Sequence, residues 1–257
     1  MRVGNYDIMS FYEEDLIDLR MSINVFLNND ELLEATADEL AMRSDPNDKN
    51  KYDFVPYQKL FNIDDKIVLG FAGDDIGPQN TLDYFRLSAL TAVRKTADTD
   101  SLIQWLLEFT FAHDDGFKRP DYILLGLYDN CPRIFVISRE DDYKKAHEVK
   151  NDHACIGYLD GIEEAYEKVK YTSSDIAIDL IQDRCNVTNG MVGGIPRRYI
   201  VDKDGVKEFK FTKPLKPEYN NKNMTKKDKP ANNLTKQEFF KVLKKVSRKI
   251  SSTETKQ

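Results

Sequence analysis

A chain of 257 residues with 40% apolar side chains has material for one large domain or two small ones around a sizeable core. Its net charge of −6 hides a division: from Lys203 onward 16 basic residues stand against 6 acidic ones, so the acidic surplus lies in the preceding 202 residues. Met1 to Asp15 already holds Arg2, Asp7, Glu13, Glu14 and Asp15, and no stretch approaches the roughly 18 consecutive apolar residues of a membrane span, so a secretory leader and a transmembrane helix are not expected and the cytoplasm is.

The opening segment, Met1 to Phe26, reads as two strands joined by a hairpin around Glu13 and Glu14. Next, "NDELLEATADELAMR" places a cap at Asn29 or Asp30 ahead of leucines and alanines at helical spacing, which predicts a helix and then a loop, an insertion over 29–53. Two strands follow, "KLFNI" and "KIVLGFAG", with a tight turn at Asp64 and Asp65. Helices are predicted for "PQNTLDYFRLSALTAVRK" and "DSLIQWLLEFTFAH". The pattern then returns to strands in "DYILLGLYD" and "PRIFVISRE", linked through "NCP", and in "HACIGYLDG", which leads into the helix "IEEAYEKVK". Another helix, "SSDIAIDLIQDRC", begins with good caps, and "RRYIVDKDGVKEFKF" forms a hairpin around Asp204 and Gly205.

This order lacks the alternation of a doubly wound chain and contains neither the dinucleotide nor the Walker glycine pattern. Antiparallel sheets sharing a core, with paired helices on the outer faces, fit it better. The cysteines Cys131, Cys155 and Cys185 are widely spaced and odd in number, and read as buried thiols in a reducing compartment. His113, His147 and His153 are too scattered for a metal centre, so neither metal nor cofactor is expected. Residues 212–233 are rich in Lys, Asn and Pro and read as a basic linker. Residues 234–257 carry a basic amphipathic helix with Phe239, Phe240, Leu243 and Val246 on its apolar face.

Several segments in one order, "KLFNIDDKIVLGFAGDD", "YILLGLYDNCPRIFVIS", "HACIGYLDGIEEAYEKV" and "NGMVGGIPRRYIVDKDGVKEF", resemble the proteasome β-subunit and HslV-like peptidase superfamily. The resemblance covers Lys59 to Phe211 well and Met1 to Phe26 less closely, and so assigns 1–211 to one domain. It implies an α/β (α+β) fold, a four-layer α/β/β/α sandwich of two mainly antiparallel sheets with helices on both outer faces, and association into homo-oligomers, including rings. In active relatives the nucleophile is the hydroxyl of an N-terminal threonine exposed by processing, the free amine is the base, and an aspartate and a lysine set the local electrostatics.

The resemblance implies that "LIDLRMS" supplies the aspartate, Asp18, and that Lys59 is the lysine, the two forming a charge-assisted pair. Counting back from Asp18 by the family's spacing reaches Arg2, whose guanidinium cannot attack a carbonyl. Ser10 and Ser22 read as residues bonded to backbone or solvent. Gly157 retains backbone donors for an oxyanion, but Tyr158 and Leu159 stand where active relatives favour small polar residues; Thr188 is either a remnant polar contact or a turn and cap residue. Arg2, Asp18, Lys59, Gly157 and Thr188 together therefore describe a vestigial site.

The function expected on this basis is a catalytically degenerate, self-assembling structural, regulatory or binding component. Two alternatives stand beside it. One is an N-terminal-nucleophile peptidase or amidase that requires further processing. The other is a module that binds nucleic acid or an anionic membrane surface through the basic tail, whose helix also suits a protein partner.

Overall fold

The computed structural model describes residues 17–19, 22–45, 48–64, 66–76, 98–111 and 121–218. They form a mixed α/β structure with two antiparallel sheets and helices outside them.

The larger sheet contains β1 (Ile17–Leu19), β4 (Leu40–Asp45), β5 (Asp48–Pro56), β6 (Leu60–Asp64), β7 (Ile67–Ile76), β8 (Tyr122–Asp129), β9 (Cys131–Ser138) and β10 (Ala146–Glu148). Its order is β10-β9-β8-β7-β1-β4-β5, with β6 also paired to β7. The smaller sheet, ordered β11-β2-β3-β12-β13, contains β2 (Ile23–Asn28), β3 (Leu33–Ala37), β11 (His153–Gly157), β12 (Arg197–Asp202) and β13 (Gly205–Lys210). Three α-helices accompany them among the described residues: α1 (Thr99–Phe111), α2 (Ile162–Lys170) and α3 (Ile176–Val187).

The apolar side chains divide into three clusters. β7 and β8 are apolar on both faces, as strands covered on both sides must be. One face sends Leu69, Phe71, Ile123 and Leu125 toward Ile103 of α1. The other sends Val68, Ala72 and Leu124 toward Phe26, Leu33, Ala35 and Val201 of the smaller sheet. Beyond that sheet, Ile23 and Val25 pack with Ile162 and Tyr166 of α2 and with Ala177, Leu180 and Ile181 of α3. The sheets approach closely at Gly126, where an added Cβ would lie 2.9 Å from the Leu33 methyls and the Phe26 ring.

The hairpins β6–β7, β8–β9 and β12–β13 and the helices α1, α2 and α3 lie where their turns and periodicities predict them. One expected element is corrected. The helix and loop expected over 29–53 are β3, β4 and most of β5, built into both sheets. Leu33, Ala35 and Ala37 alternate with Glu34 and Thr36, and cross-strand pairing to β2 and β12 overrides the helix propensity of Leu, Ala and Glu. The turn and first strand of the opening hairpin lie outside the described residues, and the stretch expected as its second strand is divided between β1 and β2, in different sheets. Residues 1–16, the helix expected at 78–95 and the tail helix at 234–257 lie outside the described residues. The expected linker is described over 212–218, where Leu215 pairs with Gly194 and packs beside α3. Among the described residues no helix is long and apolar enough to cross a membrane.

Candidate functional site

The chain crosses between the sheets twice within a short stretch, from β1 to β2 and from β3 to β4. The antiparallel register of β2 on β3, with Asn24 opposite Ala37, brings these crossings side by side. Ser22 and Ile23 thus stand at the end of the hairpin where Asp38 leaves it, and the Asp38 N–H donates to the Ile23 carbonyl at 3.2 Å.

Asp38 is fully buried and each of its oxygens has partners. Oδ1 accepts from the Ile23 N–H at 2.8 Å, and Oδ2 accepts from the Gly193 N–H at 3.2 Å, from the Leu40 N–H at 3.3 Å and from Lys59 Nζ at 2.8 Å. Lys59 is itself fully buried and donates a second time, to the Leu40 carbonyl at 2.5 Å. Burial pushes the Asp38 carboxyl up and the Lys59 ammonium down, while the attraction between the two opposes both displacements. A buried lysine with one carboxylate and one carbonyl is a localised positive charge held in a low-dielectric setting, the arrangement that stabilises a developing oxyanion or lowers the pKa of a nearby amine or hydroxyl.

Ser22 is held from both sides. Its carbonyl accepts from the Tyr158 N–H at 2.7 Å, and the amide that follows it is the Ile23 N–H bound by Asp38. Its Oγ is buried and has no hydrogen-bond partner among the described residues. An orphaned buried hydroxyl costs about 1–3 kcal/mol, so it calls for an explanation beyond folding. Gly157 accounts for part of the local geometry: at φ +107° its backbone lies so close that an added Cβ would fall 2.0 Å from the Ser22 carbonyl oxygen.

The third wall is the turn after α3. Thr188 Oγ1 donates to the Arg184 carbonyl at 2.7 Å and accepts from the Val192 N–H at 3.0 Å, closing the turn that delivers Gly193 to Asp38. Cys185 and Cys155, at the flanks of the site, are unsuited to nucleophilic work, because burial pushes their thiols up to about 11 and about 12. Cys131 is exposed, against the expectation of buried thiols.

Of the residues singled out from sequence, Lys59, Gly157 and Thr188 surround this site. The carboxylate described on Lys59 is that of Asp38, while Asp18 stands in β1 opposite Met42. Arg2 and Ser10 lie outside the described residues. Ser22, expected to bond to backbone or solvent, has its hydroxyl buried and without a hydrogen-bond partner among the described residues. Asp38 is absent from the residues singled out from sequence and Ser22 is given there only a bonding role, yet a spacing signal exists: Ser22 precedes Asp38 by 16 positions, as Arg2 precedes Asp18. The helix-forming composition of 29–43 masks that signal, because a helix there places Asp38 at its middle.

No protein-family model matches this chain, and no curated protein matches it. Among the described residues no group of three His, Cys, Asp or Glu side chains is placed to hold a metal ion.

Proposed function

We propose that this chain is an amide hydrolase of the N-terminal-nucleophile type, with Ser22 as nucleophile once the Met21–Ser22 bond is cut. The single observation that carries the reading is the orphaned Ser22 hydroxyl at the head of β2, whose next amide is bound by the buried Asp38–Lys59 pair. The degenerate-component reading depended on Arg2 in the attacking position, reached by counting back from Asp18. With the carboxylate at Asp38 the same count arrives at a hydroxyl residue. The finer fold reading, a four-layer α/β/β/α sandwich, is supported by three apolar clusters that separate α1, the larger sheet, the smaller sheet and the pair α2 and α3.

Maturation proceeds by attack of Ser22 Oγ on the Met21 carbonyl carbon. The hydroxyl proton passes to the Ser22 nitrogen as the C–N bond breaks, leaving an ester that water hydrolyses to a Met21 carboxylate and a free Ser22 amine. In turnover that amine accepts the Oγ proton, Oγ attacks the substrate amide, and the proton passes to the departing amine. Water, deprotonated by the same amine, then cleaves the ester. Lys59, held by Asp38, contributes positive potential that favours the neutral amine and the developing oxyanion.

The test is the intact mass of the purified protein and its labelling by an electrophile selective for terminal nucleophiles. A terminus at Ser22 and stoichiometric labelling are expected. Ser22→Ala is expected to stay uncut, with amidase activity lower by ~10,000-fold or more, while Ser22→Thr is expected to be cut and labelled. A wild-type chain that retains the Met21–Ser22 bond and takes no label overturns the proposal.

A further inference from the structure

β1 ends three residues ahead of Ser22, yet it belongs to the opposite sheet. It lies between β4 and β7, with Ile17 opposite Arg43 and Asp18 opposite Met42 on one side, and Ile17 opposite Ile76 and Leu19 opposite Gly73 on the other. Among the described residues β4 and β5 join the rest of the larger sheet through β1 alone. The residues flanking this strand are buried: Met42 is 3% exposed and Ala72, beside Gly73, is 0% exposed. Without β1, β4 and β7 would face each other with unpaired backbone groups in the interior of a sheet.

The Met21–Ser22 bond follows Leu19, the last residue of β1, and precedes Ile23, the first of β2. The pairs that Ile17, Asp18 and Leu19 make with β4 and β7 all lie on one side of that bond, so cutting it removes none of them. We propose that the segment ahead of Ser22 stays bound after cleavage, held through β1 as a noncovalent strand between β4 and β7. The inference rests on the cleavage argued above, but its physical content, retention of a severed strand by its two neighbours, is separable from how the bond is cut.

The experiment uses the full chain carrying Ser22→Ala and a site-specific protease sequence inserted between Met21 and Ser22→Ala, cut after folding. The native mass is expected to equal both pieces together, the fragment to co-elute in gel filtration and separate only on denaturation, and amides of 40–45 and 67–76 to stay slow in hydrogen exchange. A synthetic peptide ending at Met21 is expected to exchange with the bound fragment. Asp18→Pro, which removes a donor from an internal strand, is expected to weaken retention by roughly tenfold or more. Should that variant fail to fold, the exchange rates of the Asp18 chain before and after cutting decide the matter alone. Loss of the fragment during gel filtration, with exchange rising at 40–45 and 67–76, overturns the proposal. A wild-type chain that is never cut, alongside a retained fragment in the protease-cut chain, overturns the cleavage reading and leaves strand retention standing.

Discussion

At the scale of single residues the site depends on a charge pair that neither member could sustain alone. Removing one partner leaves an uncompensated charge without water, a loss of about 3–5 kcal/mol for buried pairs. Lys59→Met is expected to destabilise the fold by that amount, as is Asp38→Ala, which also strands the Ile23, Leu40 and Gly193 amides. Combining Lys59→Met with Asp38→Asn is expected to cost less than the sum of the separate changes, because the charge and its counter-charge disappear together. Urea denaturation of the four chains in the cycle checks this, and additive losses would mean the two side chains are not coupled.

At the scale of elements, the cluster joining β11 to α2 is the clearest source of pH dependence. Asp152 accepts from His153 Nδ1 at 2.9 Å and pairs with Lys170 at 3.3 Å; these bonds, the His153 contact foremost, hold its carboxyl down to about 2. A carboxyl depressed in the folded state stabilises the fold above its unfolded value near 3.9 and loses that contribution as pH falls toward its folded value. Melting temperature is therefore expected to fall between pH 4 and pH 2 by more in the native chain than in Asp152→Asn, and equal slopes would contradict the assignment. The half-exposed position keeps the effect small. The same scale explains the helix that is not there. Residues 29–43 have helix-forming composition, but Asn29 Oδ1 accepts from the Glu31 and Leu32 N–H groups at 3.0 and 2.9 Å, which makes a turn, and the chain returns along β2 as a strand.

At the scale of the whole molecule, two sheets must approach closely enough for the crossings at Ser22 and Asp38 to meet. Gly126 and Gly70 make room, since an added Cβ at Gly70 would lie 2.9 Å from Asn24 Oδ1. Gly126→Val is expected to destabilise by about 1–3 kcal/mol or more through overpacking, and in doing so to slow the proposed cleavage at Met21–Ser22. Thermal unfolding and the rate of appearance of the Ser22 terminus measure the two effects. A chain that melts normally but is cut slowly would show that sheet spacing acts on the site without acting on stability.

The sequence by itself determined the elements whose signals are local. Asp129, Asn130 and Cys131 turn one hairpin, with Asn130 at φ 57°, Asp204 and Gly205 turn another, and Asp175 caps α3 through the Ile178 N–H. It also marked Lys59, since a lysine heading an apolar hairpin stands out in any register. Only the tertiary structure decided that lysine's partner and set the unpartnered Ser22 hydroxyl near the pair. Asp38 and Lys59 lie 21 positions apart and meet because β3 passes into β4 between two sheets, a pairing of distant strands that periodicity within one window does not encode.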